Sequence, residues 1–284
     1  MEEKLSSTSA LTKNNSLKLL TCNVKDITDY EALVDEILRL SVPIVCLQEF
    51  KSDDQREKIT RAFKTKGYTG VRFSGCLDII FVRNDAIPSK KEYISFTNTC
   101  QNRGVIVYTY LIKNHNGIFS SLSNDITNKV IQLKICTSQL ESGGTGGGIR
   151  KSQIRDLNVI LSNSVSPLED KTLEKTLEDK TNIECIIFAG DTNISSWQTE
   201  LNFLTPGHPE KTKIKELGSD DKKWYDAWRE KGTSENEITN DETKDRMDRV
   251  WYKGEKLRCT SYNLFYPFSN STRKGVIVDF SFDF

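Results

Sequence analysis

The stretch ECIIFAGDTN (184–193) decides how the chain is read. It is an apolar run of strand length that ends on Asp191 and Asn193. LKLLTCNV (17–24) and PIVCLQE (43–49) repeat the pattern, ending on Asn23 and on Gln48 and Glu49. An apolar core does not tolerate such groups, and loops at strand ends are where α/β proteins place their sites. Taken singly, a strand-end Asp or Glu is more often a cap or a turn former. Together, one carboxylate, neighbouring amides and a second carboxylate form an oxygen-rich nest of the kind Mg²⁺ takes.

Further strands are predicted at LDIIFVR (77–83), GVIVYTYLIK (104–113) and VIQLKICT (130–137). GVIVDFSFDF (275–284) alternates, with Val276, Val278, Phe280 and Phe282 facing one way. DYEALVDEILRL (29–40) puts Tyr30, Leu33, Val34, Ile37 and Leu38 on one helical face, with Thr28 or Asp29 as N-cap. A polar helix carrying Phe63 ends near Gly67, and QIRDLNVIL (153–161) is a helix between two strands. Some strands are continuously apolar and others alternate; helices separate some of them and others are adjacent. That mixture predicts two packed sheets flanked by helices, not one doubly wound sheet.

The 284 residues carry 40 Lys+Arg and 40 Asp+Glu, so any nucleic-acid contact must come from a local patch and not from a basic coat. No apolar run approaches membrane-spanning length, and MEEKLSSTSALTKNNS lacks a signal-peptide core. The expectation is an intracellular protein of nucleus or cytoplasm with no membrane partner. Residues 1–16 are expected to be a flexible tail and 17–284 one domain, with a charged repeat, LEDKTLEKTLEDKT, inside an insertion at about 164–182. The seven cysteines form no CxxC and read as reduced, buried, small hydrophobes.

LKLLTCNV, IVCLQEF, CTSQLES, IIFAGDTN, DRMDRVWYKG and STRKGVIVDF occur in an order that resembles the endonuclease/exonuclease/phosphatase superfamily, nearest its 5′-tyrosyl-DNA phosphodiesterase branch. YDAWREKG (225–232) also resembles that branch. The resemblance implies a four-layered α/β/β/α sandwich that hydrolyses phosphodiesters with Mg²⁺. Glu49 then matches the metal ligand, supported by Asn23. Asp191 matches the group that orients or deprotonates the attacking water. Asn193 matches a donor to the transition-state phosphoryl oxygens, and Asp248 the carboxylate that orients a histidine. Arg103, Arg246, Arg249, Arg273 and Lys274 would lie around the cleft, with Arg103, Arg249 and Lys274 contacting substrate.

The departures matter more. The family's His-Leu-Glu-Ser histidine is Gln139 here, and its closing Ser-Asp-His appears as Ser271, Thr272 and Arg273. Glutamine carries no titrating proton, and arginine stays protonated and cannot serve as a general base. The only histidines, His115 and His208, lie outside every block. The expectation is therefore a catalytically impaired phosphodiesterase-like protein that binds a nucleic acid, another phosphorylated ligand or a protein partner, with Mg²⁺ held weakly if at all. One alternative is a divergent, active Mg²⁺-dependent phosphodiesterase. In another, Asn23, Glu49, Asp191 and Asn193 only hold loops together. A third reads SGGTGGGIRKS (142–152) as a phosphate-cradling P-loop, although Arg150 stands where that signature needs glycine.

Overall fold

A computed structural model of the chain describes residues 15–113, 130–143, 146–162, 183–195, 224–234, 237–267 and 272–283. Residues 1–14, the 164–182 repeat, His115, His208 and Ser271 lie outside the described residues.

The first sheet is built from β1 (Ser16–Asn23), β2 (Ile44–Gln48), β3 (Tyr68–Gly70), β4 (Ile79–Arg83), β11 (Leu257–Phe265) and β12 (Gly275–Phe282). Its strand order is β11-β12-β1-β2-β4-β3. The second comprises β5 (Lys90–Ser95), β6 (Gly104–Lys113), β7 (Val130–Thr137), β8 (Ile183–Asp191), β9 (Tyr225–Asp226) and β10 (Asp248–Lys253), in the order β5-β6-β7-β8-β10-β9. Each sheet is mixed: β1 and β2 are parallel, as are β7 and β8, and the other pairings are antiparallel.

Helices cover both outer faces. α1 (Tyr30–Arg39) and α2 (Asp53–Thr65) bury Leu33, Val34, Ile37, Ile59 and Phe63 against the first sheet. α3 (Gly147–Ser162) buries Ile154, Leu157 and Leu161 against the second. Asp29 caps α1 by accepting from the Ala32 N–H at 3.0 Å. A short α4 (Ala227–Lys231) follows β9. The architecture is the α/β/β/α sandwich expected. Ser16 opens β1 and does not belong to the tail.

Strands β3, β5, β9, β10 and β11 were not legible in the sequence. β5 is an edge strand whose lysines mask any apolar pattern, and a bulge between Cys259 and Ser261 interrupts the alternation of β11. Cys100 is exposed, against the expectation of burial, while the other six cysteines are buried.

The inner faces of the strands position the polar residues of the molecule. Leu17 and Leu19, Ile44 and Cys46, Ile80 and Val82, Ile131 to Ile135 at alternate positions, Cys185, Ile187 and Ala189, and Val250 and Tyr252 all face the space between the sheets. Strand side chains repeat every two residues. Extending each run by one step places Thr21 and Asn23, Gln48, Asp78, Thr137 and Gln139, Asp191, and Asp248 on that same inner side. The layer between the sheets is thus apolar for most of its length and polar at one end. The seam of that polar end is a cross-sheet contact: Gln48 Nε2 donates to Thr21 Oγ1 at 3.0 Å and to Thr137 Oγ1 at 2.8 Å, and Thr137 donates to the Ala189 carbonyl at 2.7 Å.

Candidate functional site

The polar end of the layer is one connected cluster. Asn23 Nδ2 donates to Glu49 Oε2 at 2.6 Å and to Asp191 Oδ2 at 2.8 Å, joining residues from opposite sheets. Gln139 Nε2 donates to the same Glu49 oxygen at 2.7 Å. The Lys25 ammonium lies 3.1 Å from Glu49 Oε1. Arg273 Nη1 lies 3.6 Å from Asp191 Oδ2. Asp248 stands directly across the β8–β10 ladder from Asp191. Asn23, Glu49, Gln139, Asp191, Asp248 and Arg273 therefore share one site.

Local backbone geometry makes this convergence. Glu49 and Asn193 both have positive φ, 60° and 49°, so each turns back towards the site just past the end of its strand. Gly190 lets the ends of β7 and β8 close together, because a Cβ there would sit 2.1 Å from the Ser138 carbonyl oxygen. Leu140 N–H then donates to the Asp191 carbonyl at 2.9 Å. Asn193 Nδ2 donates to the Leu140 carbonyl at 2.9 Å, and the Asn193 N–H to Asp191 Oδ1 at 2.9 Å. Asn193 thus spends its amide on the neighbouring loop. Arg273 is held by its backbone: it bridges to Asn240, Lys274 N–H donates to the Thr239 carbonyl, and Asp241 N–H to the Thr272 carbonyl, both at 2.8 Å.

Asp78 is the site residue that sequence reasoning missed. It precedes β4 and accepts the Glu49 N–H at 3.3 Å and the Gln139 N–H at 2.9 Å, tying the loops of the two sheets. Its signal was an acid at the mouth of an apolar strand, LDIIFVR. Burial pushes its carboxyl up to about 6, partly opposed by the charge of Arg103. The folded state therefore keeps a proton that the unfolded chain releases. The linked stability is present below the ordinary carboxylate pKa and is lost as pH rises to about 6. Urea midpoints are expected to fall across that window, and Asp78→Ala to flatten the fall. Asp78→Ala also strands two backbone N–H groups, at a cost of about 2–4 kcal/mol. A wild-type midpoint that rises between pH 4 and 6 while that of Asp78→Ala does not would contradict this assignment.

The remaining charges divide by environment. Burial works to raise the Glu49 pKa, but donors Asn23, Lys25 and Gln139 outweigh it and hold the carboxyl below its ordinary value. Asp248 is wholly buried, with Thr239 and the Asn23 backbone as donors close enough to favour its charged form. Burial, and then the charge of Asp191, push its pKa well up. The carboxylate that the resemblance assigns to orienting a histidine has none to orient among the described residues. Burial lowers the Arg273 pKa, but Asp191, Asp248, Glu49 and Asp26 outweigh it and raise it.

One expected substrate contact, Arg249, and one residue expected only to line the cleft, Arg246, are corrected. Arg249 alternates with Asp248 on β10 and so faces the outer side with Trp251, where it is fully buried. Its guanidinium donates to Thr192 Oγ1 at 3.2 Å and to the Ile194 carbonyl at 2.9 Å, fastening the loop that carries Asn193. Arg246 makes two bonds to Asp226, at 2.7 and 2.9 Å, and stacks over Trp228. Neither reaches the cleft. Lys274 pairs with Asp241 at 2.8 Å and lies over the Tyr266 ring. Arg103 is half-buried, bonds Gln101, and is near enough to act on Asp78.

The P-loop reading is also corrected. The carbonyls of Glu141 and Gly143 turn inward and accept from the buried Arg150 guanidinium at 3.0 and 3.1 Å. A phosphate cradle needs N–H groups there.

Nor do the expected ligands fit Mg²⁺. That ion needs open oxygens in a near-octahedral shell. Glu49 Oε2 is covered by two amide N–H groups and Oε1 faces an ammonium. Asn23 turns its nitrogen, not its oxygen, into the site, because Oδ1 accepts the Lys25 N–H at 3.0 Å and a flip would set Oδ1 against two carboxylates. Among the described residues, no three His, Cys, Asp or Glu side chains are grouped to hold a metal.

Two face-to-face mixed sheets with helices on both outer faces are the fold of solved endonuclease/exonuclease/phosphatase structures. A D. rerio TDP2 humanised by 14 mutations superposes with a TM-score of 0.66 at 17% identity, covering 94% of this chain and 99% of that one. The human Nocturnin catalytic domain with a bound sulfate anion gives 0.63 at 17%, covering 95% of each chain. A Bacteroides vulgatus endonuclease/exonuclease/phosphatase gives 0.62 at 12%, covering 94% and 99%. The sequence itself matches no protein-family model and no curated protein. Among the described residues, no helix is long and apolar enough to cross a membrane.

Proposed function

We propose that this chain is a catalytically silent protein of the endonuclease/exonuclease/phosphatase fold whose cleft binds the phosphate groups of single-stranded nucleic acid. The observation that carries the first half is what replaces the two histidines. Gln139 and Arg273 engage Glu49 and Asp191, the two carboxylates that hydrolysis would have to use. Neither replacement can pass a proton at neutral pH. Support for the ligand comes from charge and from similar proteins. Arg273, Lys25 and Arg103 bring cationic side chains to a site where Asp248 is pushed towards its neutral form. A D. rerio TDP2 of the same fold, at 17% identity, was solved with a single-strand DNA product.

The test is fluorescence anisotropy with a labelled, 5′-phosphorylated single-stranded oligonucleotide. Binding is expected to be saturable, to weaken as salt rises, and to drop about tenfold or more in Arg273→Ala, as the loss of a charge-assisted contact predicts. Equal affinity of wild type and an Arg273→Ala/Lys25→Ala double variant would defeat the reading.

A further inference from the structure

We infer that Arg273 and Lys25 are the resident cations of this site and that they exclude a divalent metal from it. The inference shares its two cations with the phosphate reading but concerns only what neutralises the carboxylates, so the metal titration and the oligonucleotide titration can fail separately. Arg273 enters on a backbone anchored to Thr239, Asn240 and Asp241, so its guanidinium is delivered by the fold and not by a wandering surface side chain. Its guanidinium lies 3.6 Å from Asp191 Oδ2. From the other side, Lys25 follows Asn23 directly and its ammonium faces Glu49 Oε1 at 3.1 Å. The remaining Glu49 oxygen is closed by the Asn23 and Gln139 amides. A divalent cation would have to displace two bound positive charges and turn two amides around. Like charges a few ångströms apart make this unfavourable even with partial screening. The fold thus carries fixed cations where its resemblance implies an exchangeable one.

Mn²⁺ titration followed by electron paramagnetic resonance, with melting curves in Mg²⁺, tests this directly; Mn²⁺ takes the same oxygen-rich, octahedral sites as Mg²⁺. Wild type is expected to show no saturable Mn²⁺ binding in the millimolar range and no melting shift with Mg²⁺. Lys25→Met/Arg273→Met is expected to gain saturable binding, about a hundredfold tighter than any wild-type association, and to lose it again when Glu49→Ala is added. Saturable wild-type binding that disappears in Glu49→Ala would overturn the inference. So would a double variant that retains the wild-type circular dichroism spectrum and still binds no Mn²⁺. Should the double variant not fold, Arg273→Lys, which keeps the charge, must stay as blind to Mn²⁺ as wild type, and the wild-type titration decides alone.

Discussion

Gln139→His, Thr272→Asp and Arg273→His, combined with Lys25→Met, are expected to give measurable Mg²⁺-dependent phosphodiesterase turnover, and the wild-type protein is expected to show none above background on tyrosyl-DNA or simple phosphodiesters. A positioned general acid or base contributes about 10²–10⁴ in rate. Two such groups are absent at 139 and 273, so the wild type starts from a deficit that multiplies. The substitutions also undo three restraints. Gln139 no longer donates its side-chain amide to Glu49, the Lys25 ammonium no longer faces that carboxylate, and the guanidinium beside Asp191 is gone. Asp248, buried near enough to Arg273 to feel its charge, gains an imidazole in place of that guanidinium. Residues that act as a unit are strongly non-additive, so each single reversion should do little. Glu49→Ala in the quadruple variant should return it to background. Robust wild-type turnover that is lost in Gln139→Ala would mean that glutamine replaces the histidine in function, and the silent reading would fall.

Asp226→Ala is expected to be the most damaging substitution away from the cleft, with a loss of about 3–5 kcal/mol, the usual consequence of removing one partner from a buried ion pair. Asp226 is buried and accepts both bonds from Arg246, while Arg249 lies 3.8 Å away. Burial, and next the charge of Arg246, pull the Arg249 pKa down to about 9, with Asp226 opposing them. Without Asp226, two buried guanidinium groups face each other. Arg249 holds Thr192 and Ile194, so amide exchange in the 192–194 loop should accelerate more than in β12. Asp226→Asn, which keeps one acceptor, should lose less. Urea unfolding reads the difference through the midpoint at constant slope. A loss below about 1 kcal/mol in Asp226→Ala would show that the pair is not a structural brace.

What the sequence determined by itself was the sandwich and most of the site. The apolar runs ending on Asn23, Glu49 and Asp191 identified three site-forming strand ends, because an apolar core rejects such groups and period-two alternation is a local property. The block order pointed to Gln139, Asp248 and Arg273, and all of these side chains converge. Other features depended on which side of a sheet a residue takes and on which strand lies opposite. Asp78 could not be singled out until β4 was seen to continue its inner face into the gap beside Glu49 and Gln139. Arg249, one residue from Asp248, belongs to the opposite face, and only the pleat of β10 separates a site residue from a brace. The pairing of Lys25 and Arg273 with carboxylates from different strands is likewise a tertiary fact. Charge neutralisation depends on distances of a few ångströms between residues far apart in the chain, and no local pattern encodes those distances.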